Sequence, residues 1–128
     1  MQVTRKKNAE FTDERGIIAN LLPEGVDIKS VLYITSKAGS IRSNHYHKKD
    51  THFCYILSGK AEWHEKPVDA PEGTEIEKEV LGVGDMVFTP AMIIHGVKFL
   101  EDTVFLAFAT ESRDQENYEE DTVRVELI

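Results

Sequence analysis

The chain has 128 residues, enough for one domain and short for two, and its 15 Lys+Arg against 23 Asp+Glu leave a formal net charge of −8. That acidic balance argues against nucleic acid or an anionic membrane as the main partner, because both need a basic face. Hydrophobic residues at 41% and charged residues at 30% fit a folded protein rather than a disordered one. The single cysteine, Cys54, excludes an internal disulfide framework, and no apolar stretch approaches the roughly 18 residues that would span a bilayer. The basic start of the chain has no apolar run behind it and does not read as a secretory signal. The expectation is one cytoplasmic domain over residues 1–128.

Short β-type runs alternate with turn signals along the chain. Residues 25–34 carry Val26 and Ile28 and then, after a change of phase, Val31 and Tyr33. Residues 52–57 end at Ser58-Gly59 and residues 61–64 follow at once, which reads as a hairpin. Residues 65–78 are rich in Pro and charge and read as a solvated loop. Gly82 to Asp85 is a turn, and the strand after it stops at Pro90. Residues 97–100 turn at Glu101-Asp102 into the run 103–109, a second expected hairpin. Residues 111–121 are strongly acidic and read as a second solvated loop. Residues 122–127 alternate cleanly, as an edge strand or as a strand paired with a second subunit. No window sustains a helical stripe, so the spacing predicts an all-β sandwich or barrel.

The histidines carry the chemistry. His45 and His47 stand two apart on an extended segment, so both side chains point to one face, and His52 opens the next strand. Three imidazoles so placed, with one more from a distant strand, satisfy a divalent transition metal.

The stretch from Gly39 through His45, His47 and His52 to Gly59 resembles the first motif of the cupin superfamily. The stretch from Gly84 through Pro90 to His95 resembles the second. The resemblance implies the cupin double-stranded β-helix, a jelly-roll barrel, with His45, His47, His52 and His95 as metal ligands. Three positions depart from the family pattern: His52 replaces the usual Glu, Met92 a Gly, and Phe99 an Asn. Four neutral ligands favour Zn, Mn, Fe, Ni or Cu over Mg²⁺ or Ca²⁺.

A second resemblance rests on shorter segments. Phe11 to Gly16, with Asp13, Arg15 and Gly16, is similar to the start of cupin-fold nucleotide-sugar epimerases and ketoisomerases. The segment from Ile41 to Lys48 is similar to the one that leads into their first catalytic histidine, and the Asn44–His47 pattern resembles the zinc-binding cupin domain of bifunctional capsule-sugar enzymes. It implies that Arg42 meets a diphosphate or carboxylate and that His45 or His47 moves a proton beside a keto group.

Alternation nominates Tyr33, Ile56, Trp63, Phe88, Ile94, Phe105 and Phe108 for the barrel interior. Cys54 should share the inward face of His52, either as a buried inert thiol or as a thiolate near the metal. Asp50 could replace a metal ligand, but its place in a polar turn argues against that role, and His64 is expected on the surface. Three functions stay open: a metal-assisted isomerase or epimerase of a nucleotide-linked sugar, a metal-dependent dioxygenase, and a non-enzymatic cupin binding a small ligand. A homodimer is expected, with residues 3–5 or 122–127 as an exchanged strand.

Overall fold

The computed structural model describes residues 1–6 and 9–128. Its elements are β1 (Gln2–Thr4), β2 (Phe11–Asp13), β3 (Gly16–Ile18), β4 (Ser30–Ser36), β5 (Ile41–His47), β6 (His52–Ser58), β7 (Lys60–Pro67), β8 (Glu77–Gly82), β9 (Met86–Thr89), β10 (Ile93–Phe99), β11 (Thr103–Ala109), α1 (Gln115–Asp121) and β12 (Thr122–Arg124). Two five-stranded antiparallel sheets, ordered β1-β9-β6-β11-β4 and β12-β5-β10-β7-β8, face each other as a jelly-roll sandwich, and β2 pairs with β3 alone. No helix is long and apolar enough to cross a membrane among the described residues.

The two expected hairpins are corners instead. From β4 onward successive strands alternate between the sheets, except that β7 and β8 pair directly. The chain leaves β6 at Gly59 and enters the opposite sheet as β7; it leaves β10 at Glu101 and enters the first sheet as β11. The corners lie against each other: Leu100 N donates to Lys60 O at 2.9 Å and Lys60 N to Thr103 Oγ1 at 3.1 Å. Gly59 has φ +90°, and a Cβ there would stand 2.3 Å from the carbonyl oxygen of Asp102, so only glycine fits. The loop expected over 65–78 shrinks at both ends, to β7 and β8.

Residues 111–121, expected as a loop, hold α1. Asp114 caps it by accepting from Asn117 N at 3.1 Å, and Asp121 is buried at its far end. Seven residues are too few for a periodic stripe to show. Both candidate exchanged strands pair within the chain, β1 with β9 and β12 with β5.

The core fills one end of the sandwich with Ile56, Ala61, Trp63, Leu81, Val87, Val97, Phe99, Phe105 and Ala107. Phe99 stacks on Phe105 with centroids 5.8 Å apart, and Trp63 meets Phe105 edge-on at 6.3 Å. Each large apolar side chain buried here contributes about 1.5–3 kcal/mol. Of the residues nominated for the interior, Ile56, Trp63, Ile94 and Phe105 are buried. Tyr33 is 69% exposed, while Phe88 and Phe108 are half-buried on the outer face. The cause is visible in β4 and β11, where both alternating sets are apolar and pattern alone cannot set the phase: Leu32 and Ile34 turn inward in place of Tyr33, and Phe105 and Ala107 in place of Phe108.

Candidate active and metal site at the open end of the sandwich

The other end of the sandwich gathers the histidines. His45 and His47 end β5, His52 begins β6, and His95 lies near the start of β10, opposite His45 in the ladder. Ring centroids are 4.6 Å apart for His45–His47, 4.7 Å for His45–His95, 5.0 Å for His52–His95 and 5.6 Å for His47–His52. A bulge aims His45: Ser43 and Asn44 both have positive φ, at 69° and 54°, and the β5–β10 register shifts there. Asn44 Oδ1 accepts from Leu127 N and Ile128 N, so the end of the chain clasps the bulge. Gly96 faces it, where a Cβ would come within 2.6 Å of Asn44 Oδ1.

Three of the rings have fixed proton positions. Nδ1 of His95 is 3.1 Å from the carbonyl oxygen of Ile93, and Nδ1 of His52 is 3.2 Å from Asp50 Oδ2. Neither partner has a proton to give, so each Nδ1 donates. Thr122 Oγ1 gives its one proton to the Tyr118 carbonyl and therefore accepts from His47 Nδ1 at 3.3 Å, with Asp121 Oδ2 at 3.6 Å. Each ring thus keeps its Nε2 free, and that of His47 is buried without a partner among the described residues.

Burial sets the charge state. It presses the pKa of His45 down to about 3, with His47 and His52 adding repulsion, and that of His47 to about 4. His95, 1% exposed, is held well below its ordinary value for the same reason. Near neutral pH these three rings are uncharged, the state in which imidazole binds a metal or takes a proton. For Asp50 burial pushes the carboxyl up, but the hydrogen bond and charge of His52 together with Arg113 outweigh it and leave the pKa lowered. Asp50 also accepts from the Thr110 and Glu111 amides.

A cavity of about 220 Å³ opens beside the histidines. His45, His47 and His52 line it, with Leu32, Ile34, Trp63, Val97, Phe105 and Ala107 as apolar walls. Arg42, from β5, lines it as well; its Nε donates to Ser36 Oγ at 2.7 Å and Nη2 to Thr35 O at 2.9 Å. Cys54 is buried in the wall, with its thiol pushed up to about 12 by burial, which makes it inert. His64 lies on the outer face, half-buried, with Nε2 2.8 Å from Glu62 Oε1. Asp13 and Arg15 pair with each other at the β2–β3 turn.

Sequence reasoning missed three residues. Tyr118 of α1 stands with its ring 5.8 Å from that of His47 and 6.4 Å from that of His45, Arg113 packs its guanidinium over Tyr118 at 5.1 Å, and Asp121 backs His47. Asp50 was placed in a turn and proves to anchor His52. Tyr118, Arg113 and Asp121 reach the site through tertiary contacts that residue spacing does not encode, whereas Asp50 lies two residues from His52 and its spacing was a usable signal.

The cupin domain family matches residues 32–109, which span both histidine segments. The chain is a cupin. No curated protein matches it in sequence. Among solved structures, this cupin is similar to the 3,4-ketoisomerase QdtA of Thermoanaerobacterium thermosaccharolyticum, solved as a double mutant with TDP, at 26% identity and TM-score 0.74, over 96% of this chain and 87% of that one. Another mutant of that enzyme was solved with TDP-4-keto-6-deoxyglucose, at 22% identity and TM-score 0.74, over 96% and 87%. The dTDP-4-dehydrorhamnose 3,5-epimerase of Sulfolobus tokodaii aligns at 19% identity and TM-score 0.71, over 88% and 70%. The capsular polysaccharide assembling protein CapF of Staphylococcus aureus aligns at 24% identity and TM-score 0.69, over 79% of this chain but only 27% of CapF.

Proposed function

We propose that this cupin, acting as one domain over residues 1–128 in the cytoplasm, is an isomerase or epimerase of a nucleotide-linked keto sugar. The observation that carries the reading is His47: a buried, uncharged imidazole that lines the cavity, backed at Nδ1 by Thr122 and Asp121, with no hydrogen-bond partner for its Nε2 among the described residues. Such a nitrogen is placed to take the proton α to a keto group, and Asp121 steadies the imidazolium that forms. His45, the neighbouring ring, is the other proton carrier. Arg42 and Arg113, both on the cavity, supply positive charge for a diphosphate or for the enolate oxygen. The similarity to QdtA, with its bound TDP, agrees with this class of ligand.

The donor set also fits a metal. His45, His47 and His95 present ligand atoms within 4.8 Å of one another, and His47, Asp50 and His52 form a second such group. In this reading His45, His47, His52 and His95 would hold a divalent transition ion, and such an ion would supply a Lewis acid for a keto oxygen. Asp50, Asp121, Thr122 and the Ile93 carbonyl then serve to orient the ligating rings.

The test is a melting curve with TDP-4-keto-6-deoxyglucose and with TDP, beside elemental analysis of chelator-free protein and of its His52→Ala and His95→Ala variants. A rise in Tm with the sugar nucleotide supports the reading, and no shift with either nucleotide overturns it. About one equivalent of zinc, lost in both variants, would add a metal to the same chemistry. Iron, manganese, nickel or copper would move weight to an oxidative reaction at these histidines. We further propose a homodimer, supported by the apolar residues left exposed on β2–β3 and on the outer face of β4, with Ile17 65% and Val31 60% exposed.

A further inference from the structure

Arg42 lines two cavities. One is the histidine cavity, and the other is a groove of about 720 Å³ on the flank of the sandwich, between β4 and β5. The chemistry above uses the first and leaves the groove unexplained. β4 is the outermost strand of its sheet, and β12 pairs with β5 only over residues 45–47, so at residues 41–43 both sheets end in open edges. The side chain of Arg42 crosses between these edges to β4, where Nε donates to Ser36 Oγ and Nη2 to Thr35 O. Those two bonds fix the guanidinium and leave three of its five N–H groups for a ligand.

The histidine cavity does not hold a whole nucleotide sugar. Its volume, about 220 Å³, lies below the roughly 300–1,000 Å³ of sites for drug-sized ligands, so one sugar ring fills it and the nucleotide lies outside. The ladder shows how far out Arg42 stands. On β10, His95 faces His45, and Val97, two residues on, faces Arg42. At about 3.3 Å per residue, Arg42 is therefore roughly 7 Å along the strands from the histidine row, close to the width of one pyranose ring. A ring with its keto carbon against His47 thus brings its anomeric oxygen to Arg42, where the groove begins.

The lining of the groove suits a nucleoside diphosphate. Lys37 makes no ion pair among the described residues. Together with Arg42 it outweighs the one carboxylate of the groove, Asp102, whose Oδ1 accepts from Ala38 N at 2.9 Å. In a chain of net charge −8, such a local excess of positive charge draws an anion. Ile41, 49% exposed, and Val104 add an apolar patch beside the cations. Two other cavities fit less well. The one beside α1 sets Lys48 and Lys49 against Glu111, Glu120 and Asp121, and the one on the outer face of β6 and β9 carries Glu10 and Glu24 with no cation. Neither shares a lining residue with the histidine cavity.

We propose, resting on the isomerase reading, that the groove between β4 and β5 is the nucleotide subsite, where Lys37 and Arg42 hold the diphosphate and the base lies against Ile41 and Val104. Arg42 bonds Ser36, the residue next to Lys37, so the two cations meet the diphosphate on the same stretch of the groove.

The test is a titration of ¹⁵N-labelled protein with TDP, with Kd measured in parallel for the Lys37→Ala and Lys49→Ala variants. We expect the amide resonances of residues 35–42 and 102–104 to move. Lys37→Ala should bind TDP roughly 3- to 10-fold more weakly at low salt, and Lys49→Ala as tightly as the wild type. Resonances that move only at residues 48–49 and 111–121, or only at residues 20–26 with Phe53 and Phe88, overturn the groove and leave the isomerase reading standing. So does TDP binding that Lys37→Ala leaves unchanged. If neither TDP nor TDP-4-keto-6-deoxyglucose binds the wild type, both fall. The mapping uses the wild-type chain, so it decides the matter even where a variant folds poorly.

Discussion

His47, His52 and His95 each give Nδ1 to a different acceptor on a different element, so the cluster's geometry does not depend on any one partner. Asp50 is the most heavily used of these: it receives His52, two backbone amides and Arg113 while 2% exposed. Asp50→Ala leaves those donors buried and unmet, and we expect a loss of about 2–4 kcal/mol in urea unfolding, with Asp50→Asn losing less. The histidines predict a pH dependence. In the unfolded chain they titrate near 6.5, but in the folded chain His45 and His47 titrate at about 3 and about 4. Below pH 6.5 the unfolded state binds protons that the folded state refuses, so stability of the metal-free protein falls as pH drops from 6.5 toward 4. Each ring contributes about 1.4 kcal/mol per pH unit in that window. Urea midpoints at pH 7.5 and pH 5 check this, and equal midpoints would contradict the uncharged cluster. Met92, where the family carries glycine, holds φ +65° with its side chain 43% exposed. Met92→Gly should therefore stabilise the fold by about 0.5–1 kcal/mol, read as a higher Tm.

Between elements, the informative comparison is Gly59 against Gly39. Both have φ near +90°, but a Cβ at Gly39 meets nothing within 4 Å, whereas at Gly59 it meets the Asp102 backbone. Gly39→Ala should cost about 1 kcal/mol from backbone strain alone, and Gly59→Ala several times more, since two corners must part; chemical denaturation of both variants separates the terms. The same corner shows what was legible in the sequence. Strands over β6, β9 and β11 follow from composition and turn residues, and the histidine pair on β5 follows from period-2 geometry. Whether Ser58-Gly59 closes a hairpin or turns a corner is not written locally, because both need the same small, left-handed residue. The partner strand decides, and β10 lies far along the chain. Likewise Tyr118 and Asp121 face the site only because Asp121 takes the Lys49 and Asp50 amides on its carboxylate.

At the scale of the whole molecule, β2 and β3 pair only with each other and leave Phe11 and Ile18 52% and 64% exposed. An acidic chain with such a tongue is expected to sediment at twice its 14.5 kDa, and a single species at 14.5 kDa would contradict the dimer. The alternation of strands between the two sheets bears on how the site comes into being. Ring closure of each non-local ladder precedes the contacts that reward it, so a chain of this topology folds slowly, in the range of milliseconds to seconds. His45, His47 and His52 leave the ribosome together, while His95 and then Asp121 follow only after the intervening strands. A nascent chain that stops short of β10 carries three histidines and no cage, and one that stops short of α1 lacks the carboxylate behind His47. The cluster is thus complete only once β10 and α1 have followed β5 and β6 out of the ribosome, so its four imidazoles and the carboxylate behind His47 come together late in the order of synthesis.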